Sequence, residues 1–267
     1  APERRVPIER AKDLMVDLGY REAITYSFVS PDLQKHFNDY GSPITLKNPI
    51  SVHMAQMRVS LLPGLLTALA ANGRRQVKDV RLFEAGHIYQ KRKKSSEERQ
   101  RLAGVLAGSA DQHNWGQKMR PVDFFDVKGH VERLLRLAHR EFDAEFLPIE
   151  DEAYQAGQSA QIQLKGKEIG RVGRISPGLL EEAEIVVPVF GFELDWAEIE
   201  MTEPPSFRAI SRFPRVIRDI SIVLSEKFVA ADAVAIIKSA ASELLVQFEL
   251  IDLYTDTGIE SGKKSLT

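Results

Sequence analysis

From Val6 to Leu18 the apolar residues Ile8, Ala11, Leu14, Met15 and Leu18 recur at helical spacing, and Gly19 stands where a left-handed cap would end the helix. The period then changes. Glu22 to Val29 is rich in β-branched and aromatic residues and closes at Ser30-Pro31, which predicts a strand. After the Asn48-Pro49-Ile50 loop, Met57 to Leu62 leads into Pro63-Gly64, and Leu65, Leu66, Leu69 and Ala70 predict a second helix with proline in its tolerated first turn. Arg81 to Tyr89 and Leu102 to Gly108 read as the strands of an antiparallel hairpin, with Lys91 to Arg101 as a long exposed loop between them.

Val131, Leu134, Leu135 and Ala138 give Val127 to His139 an apolar helical face. Strands are predicted at Ser159 to Leu164, Glu168 to Ile175 and Val186 to Trp196, the first two joined by the tight-turn pair Lys165-Gly166. Glu203-Pro204-Pro205 breaks the pattern, so domains are expected at 1–203 and 204–267. Beyond the break, Asp219 to Leu224 is a strand, Ala231 to Ser242 a helix with Val234, Ile237 and Ala241 inward, and Val246 to Tyr254 a strand, with Gly262 to Thr267 starting another. That β-α-β order is half of a ferredoxin-like unit.

Composition narrows the chemistry. Of 267 residues 43% are hydrophobic and 28% charged, enough for a large core, and none is cysteine, which removes disulfides, thiolate metal sites and cysteine nucleophiles. No apolar run approaches the roughly 18 to 20 residues of a membrane helix, and a cytoplasmic location is expected. The ends, Ala1 to Arg5 and Gly262 to Thr267, suggest a piece of a longer protein. A formal charge of −2 leaves RNA attraction to local basic patches.

Catalytic signals are sparse. The histidines at 36, 53, 87, 113, 130 and 139 lack the spacing of a metal pair, and Gly166 to Gly173 lacks the lysine of a phosphate loop. No G-x-S-x-G turn surrounds Ser60 or Ser159. We therefore expect no catalytic and no metal-ligating residue. The Lys91-Arg92-Lys93-Lys94 run suits phosphate, but Glu97 and Glu98 balance it, and a solvated hairpin tip is the favoured reading. In Phe207 to Asp219, Arg208, Arg212, Arg215 and Arg218 interleave with aromatic residues including Phe213. Such a mixture suits single-stranded RNA, where guanidinium groups hold phosphate and rings stack on bases. An Arg218-Asp219 ion pair beside a proline-stiffened strand entry remains the alternative.

Taken in order, Leu18 to Phe28, Asn48 to Ser51, Met57 to Leu66, Arg81 to Gly86, Gly157 to Ala160, Gly170 to Gly173 and Phe192 to Asp195 resemble the catalytic-like module of the bacterial phenylalanyl-tRNA synthetase beta-subunit family. Arg212 to Ile220, Asp252 to Tyr254 and Gly262 to Leu266 resemble the first half of its ferredoxin-fold anticodon-binding domain. The resemblance implies an α+β fold: a six- or seven-stranded antiparallel class II synthetase-like sheet with flanking helices, then a partial ferredoxin-like βαβ unit. It implies a non-catalytic structural and tRNA-binding role beside an alpha subunit that attaches phenylalanine to tRNA in an α2β2 complex. ATP and magnesium would serve the whole enzyme and not this piece.

Two positions fit a silent module. Where class II enzymes place a phosphate-holding arginine, the resemblance puts Gln90, and where their third signature ends in Glu-Arg, Glu193 precedes Leu194. The first helix would belong to the signature that builds subunit interfaces, so Leu14, Met15 and Leu18 are expected to meet a partner chain or to pack on their own sheet. Two other functions remain open: a self-sufficient class II-like adenylate-forming ligase, and a free-standing RNA-binding module.

Overall fold

The computed structural model describes residues 5–92, 95–111, 114–116, 118–141, 143–200, 214, 216–241, 245–255 and 258–267. They group into two compact units, Ala1–Ser206 and Phe207–Thr267.

In the first unit, α1 (Ile8–Asp17) ends as its sequence requires. Gly19 takes φ +83°, its N–H donates to Val16 O at 2.9 Å, and the Tyr20 N–H donates to Met15 O at 3.0 Å. Those are the two bonds of a Schellman cap, and they turn the chain into β1 (Arg21–Glu22). The strand expected from Glu22 to Val29 is broken. After Ala23 the chain leaves β1's neighbour, and it is in strand again only at β2 (Phe28–Val29), with Ile24 and Tyr26 facing water. One β-prone stretch therefore serves two sheets, because its ends pair with different partners.

A short helix, α2 (Pro31–Gln34), a 3-10 segment (Lys35–Tyr40), β3 (Ile44–Thr45), a 3-10 turn (Val52–Met54) and β4 (Gln56–Met57) follow. Strands β2, β4 and β3 make a small antiparallel sheet in that spatial order. Helix α3 (Leu62–Arg74) then begins with Pro63 in its first turn.

The hairpin β5 (Val80–Lys91) and β6 (Ser96–Ala107) differs from its sequence reading. Pairing runs without a break from Val80↔Ala107 to Lys91↔Ser96, so most of the expected loop from Lys91 to Arg101 is strand. The alternation Glu97-x-Arg99-x-Arg101 is a strand period in charged residues, which apolar patterning does not register.

Next come α4 (Phe124–Leu137), β7 (Ala144–Pro148), β8 (Tyr154–Leu164), β9 (Lys167–Ile175), α5 (Pro177–Glu182), β10 (Val189–Asp195) and α6 (Trp196–Ile199). Lys165 and Gly166, at φ 52° and 78°, make the expected two-residue turn between β8 and β9.

The large sheet has seven strands in the order β1-β5-β6-β10-β9-β8-β7, antiparallel except for β1 beside β5. One face, carrying Phe83, Leu102, Leu106, Val172, Phe192 and Leu194, packs on Met15 of α1 and on Val127, Val131, Leu134 and Leu135 of α4. The opposite face, with Val80, Val105, Ile175 and Val189, lies under Leu62, Leu65, Leu66 and Leu69 of α3 and Leu179 of α5.

The second unit holds β11 (Ile222–Ser225), α7 (Ala230–Ala241), β12 (Leu253–Tyr254) and β13 (Lys263–Leu266). Its strands are shorter than expected. Val246, Leu250 and Ile251 are exposed outside any strand, and of the expected strand it is the end near Ile251, whose N–H donates to Thr267 O at 2.7 Å, that reaches the neighbouring strand. Strands β11 and β12 both run antiparallel to β13, which lies between them.

Helix α4 opens on a reciprocal cap: Asp123 Oδ1 accepts from the Phe125 and Asp126 N–H groups at 2.8 and 3.1 Å, and Asp126 accepts from the Asp123 N–H at 2.8 Å. Asp123→Ala is expected to lower unfolding free energy by about 1 kcal/mol with unchanged m-value in a urea titration.

Candidate functional site

The α3 side of the large sheet changes character along its length. One end is apolar and covered. At the other end Glu97, Arg99 and Arg101 of β6, Glu193 and Asp195 of β10 and Arg171 of β9 share the face, since alternate residues of a strand point the same way. The register sets Glu193 beside Arg171 and Asp195 beside Arg101.

Glu193 is buried at the start of α3. Its carboxylate accepts from Ser60 Oγ at 2.6 Å and from the Leu61 N–H at 3.0 Å, while Ser60 Oγ accepts from the Leu62 N–H at 3.1 Å. Burial pushes its carboxyl above the usual carboxylate range, against the pull of Arg101 and of the two donors. Beside it, Arg58 and Glu84 form a buried pair at 2.8 Å. Thr25 Oγ1 donates to Glu84 at 2.6 Å, and Arg58 Nε donates to His87 O at 2.8 Å. The packing is tight: a Cβ on Gly86 would stand 2.6 Å from Arg58 Nη2, and one on Gly64 would stand 2.3 Å from Thr25 Oγ1.

Among the described residues, each of the guanidinium groups Arg99, Arg101 and Arg171 on this face has a carboxylate of the same chain beside it. Arg99 meets Glu97 at 2.5 Å and Asp195 at 3.4 Å, Arg101 meets Asp195 at 3.5 Å, and Arg171 bonds Asp151 and reaches Glu168 at 2.7 Å. Among these groups Arg101 keeps one buried N–H, at Nε, without a partner. Tyr40 covers Arg171, with the guanidinium carbon 4.5 Å from the ring centroid. Burial raises the phenols of Tyr40 and Tyr154 well above their ordinary value, so both stay neutral. A triphosphate needs cations that are free to turn toward it, and those of this face already neutralise their own carboxylates. The arrangement does not fit ATP. Among the described residues no group of three or more His, Cys, Asp or Glu side chains is placed to hold a metal, and no helix is long and apolar enough to cross a membrane.

Gln90 is buried on this face, and its Nε2 donates to Tyr40 O, which fixes the 3-10 segment that carries the tyrosine. Leu194 points away, into the core beneath α1 and α4. Arg99, Arg101, Arg171 and Tyr40 were not singled out by the sequence. The signal for the first two was the alternation Glu97-x-Arg99-x-Arg101, hidden inside a stretch read as loop.

Met15 and Leu18 are buried in the chain's own core, with Leu14 half-buried against it, while Val16 is 58% exposed. Arg208, Arg212, Phe213 and Arg215 lie outside the described residues. Arg218 is exposed, and its Nη1 donates to Ile217 O at 3.1 Å; among the described residues it forms no ion pair with Asp219.

Residues 2–196 match the family model described as phenylalanyl tRNA synthetase beta chain CLM domain. The chain belongs to the phenylalanyl-tRNA synthetase beta chain family. Residues 211–267 match the ferredoxin-fold anticodon binding domain. Three relatives named phenylalanine--tRNA ligase beta subunit bear this out. The Methylococcus capsulatus protein is 40% identical over 266 residues, covering 100% of this chain and 34% of its own length. The Aliivibrio fischeri protein is 38% identical, covering 99% and 34%, and the Pseudomonas fluorescens protein 39% identical, covering 99% and 33%. The chain thus spans about a third of the length of these relatives. A pyrrolysyl tRNA synthetase structure from Desulfitobacterium hafniense aligns with a TM-score of 0.51 at 16% identity, over 74% of this chain and 69% of that one. At that identity the likeness is one of fold, a class II synthetase-like sheet with helices.

Because burial raises the Glu193 carboxyl, the folded chain holds a proton there that the unfolded chain releases near its ordinary value of 4.5. Stability contributed by the neutral acid is present at low pH and is lost as pH rises through the raised value. Glu193→Gln cannot ionise, so its urea midpoint is expected to fall less than that of the parent between pH 4.5 and pH 8. Glu193→Ala leaves Ser60 and Leu61 without their acceptor and is expected to cost about 2 to 4 kcal/mol in the same titration.

Proposed function

We propose that this chain is a non-catalytic structural and tRNA-binding part of a phenylalanine-tRNA ligase beta subunit, supporting ATP-dependent attachment of phenylalanine to tRNA by an alpha subunit in an α2β2 complex. The observation that carries the reading is the self-neutralised, tyrosine-covered face: a family fold is kept, but the guanidinium groups where a nucleotide would lie are committed to the chain's own carboxylates. Gln90 and Leu194 agree with it, since neither supplies a cation. ATP and magnesium then belong to the whole enzyme, whose place is the cytoplasm, and the rival adenylate-forming ligase has no cation on this face to work with.

The division of labour follows the chain: 1–203 is the inactive synthetase-like module and 204–267 a partial ferredoxin-fold anticodon-binding domain. In the second unit β11 and β12 run parallel to each other with β13 inserted between them and α7 in the crossover. That split βαβ topology supports a ferredoxin-like unit. Arg208, Arg212, Phe213, Arg215 and Arg218 are its RNA contacts. The α1 surface is the subunit contact, and with Met15 and Leu18 turned inward, Leu14 and the exposed Val16 are the residues left to meet the alpha chain. That dependence on a partner separates the reading from a free-standing RNA-binding module.

Co-expression of the full-length beta protein with a phenylalanyl-tRNA synthetase alpha chain is expected to yield a stable complex that charges tRNA. In that complex Arg215→Glu with Arg218→Glu is expected to raise the KM for tRNA about tenfold with kcat nearly unchanged, as lost phosphate contacts would do. Charging of tRNA by the beta protein without any alpha chain would overturn the reading.

A further inference from the structure

Of the two basic stretches singled out in the sequence, the hairpin tip is the one that the proposed function leaves without a role. In the structure, β3 and the ends of β5 and β6 enclose a cleft of about 540 Å³, lined by Pro43, Ile44, Thr45, Lys91, Arg92, Ser95 and Ser96. Backbone bonds hold its walls together: the Lys91 N–H donates to Ser42 O and the Arg92 N–H to Ser95 O, both at 2.9 Å.

The charges nearby divide into two kinds. Arg92 is committed to Glu97, with Nε at 2.5 Å, and to Gln90 at 3.3 Å, and Arg99 is committed to Glu97 and Asp195. Lys91, by contrast, forms no ion pair among the described residues, and the hydroxyls of Thr45, Ser95 and Ser96 have no side-chain hydrogen bond there. One uncommitted ammonium and three uncommitted hydroxyls thus surround a cleft whose floor, at Pro43 and Ile44, is apolar.

We infer that this cleft seats a phosphodiester of an RNA strand, with Lys91 as its cation, the Thr45, Ser95 and Ser96 hydroxyls as donors, and Pro43 and Ile44 under the adjoining sugar. An open cleft with Lys91 as its one free cation among the described residues suits one phosphate of a passing strand better than a free triphosphate, which demands several convergent cations. The inference rests on the reading of the chain as a tRNA-binding part, and adds a second contact on the first unit.

The test is tRNA binding by the full-length beta protein in complex with its alpha chain, using an unmodified tRNA transcript over a series of salt concentrations. Lys91→Glu with Ser96→Asp is expected to weaken tRNA affinity about tenfold and to reduce the salt slope by about one, while Lys91→Arg keeps both near the parent values. The thermal unfolding midpoint and the KM for ATP should stay unchanged in all three proteins. Unaltered tRNA affinity and slope in the charge-reversed variant, with Arg218→Glu still weakening binding, would overturn this site and leave the broader reading standing. A raised KM for ATP with tRNA affinity intact would make it a nucleotide site and overturn it as well. Failure of the parent complex to bind tRNA at all would remove both.

Discussion

A single buried carboxylate joins the two halves of the first unit. Glu193 stands on β10, between β6 and β9, and takes its hydrogen bonds from Ser60 and Leu61, the residues that lead into α3. The positive end of a helix and two donors meet one acceptor, and the position of α3 over the sheet is fixed by that meeting. Once α3 is placed, Leu62, Leu65, Leu66 and Leu69 fall over Val80, Val105 and Val189, and the apolar end of the face closes. The Arg58–Glu84 pair and Thr25 sit at the same junction, so the chain before α3 is tied to β5 as firmly as α3 is tied to β10. A buried ion pair gives little net stability over an apolar substitute, but leaving either partner alone is costly, which makes such pairs good at enforcing one arrangement.

The same constraint shapes what the face can do. Where a class II synthetase-like sheet would present cations to a ligand, this one presents them to its own acids. Arg99 and Arg101 converge on Asp195, Arg171 is shared between Asp151 and Glu168, and Tyr40 lies over the last of these guanidinium groups. Gln90, whose neutral amide already spoke against phosphate binding, has a structural task in holding the backbone of Tyr40. The cations of this face are therefore present but paired with the chain's own carboxylates. The resemblance points to two absent arginines; the structure shows Arg99, Arg101 and Arg171 in place, each beside a carboxylate, with the Arg101 Nε–H left over.

The apolar periodicities located α1, α3, α4 and the central strands closely, because those elements bury one face and the burial leaves a period in the sequence. The same logic failed where structure is held by other means. The outer half of the β5–β6 hairpin is built from charged residues that satisfy one another across the strands, and so it read as loop. The stretch after Glu22 read as one strand because propensity does not reveal that its two ends pair with different sheets. The candidate site was legible at Glu193 and Gln90 but not at Arg101, Arg171 and Tyr40, whose meeting depends on strand register and on a 3-10 segment that no pattern announces. Interface residues on α1 were ambiguous for a plain reason: an apolar stripe looks alike whether it faces its own sheet or a partner.

The claim that this face is a scaffold is tested most directly by calorimetric titration of the isolated chain with magnesium-ATP and with a non-hydrolysable phenylalanyl-adenylate analogue. The account expects no saturable heat for either ligand at millimolar concentration. Stoichiometric binding of the analogue, abolished by Arg101→Gln, would contradict it.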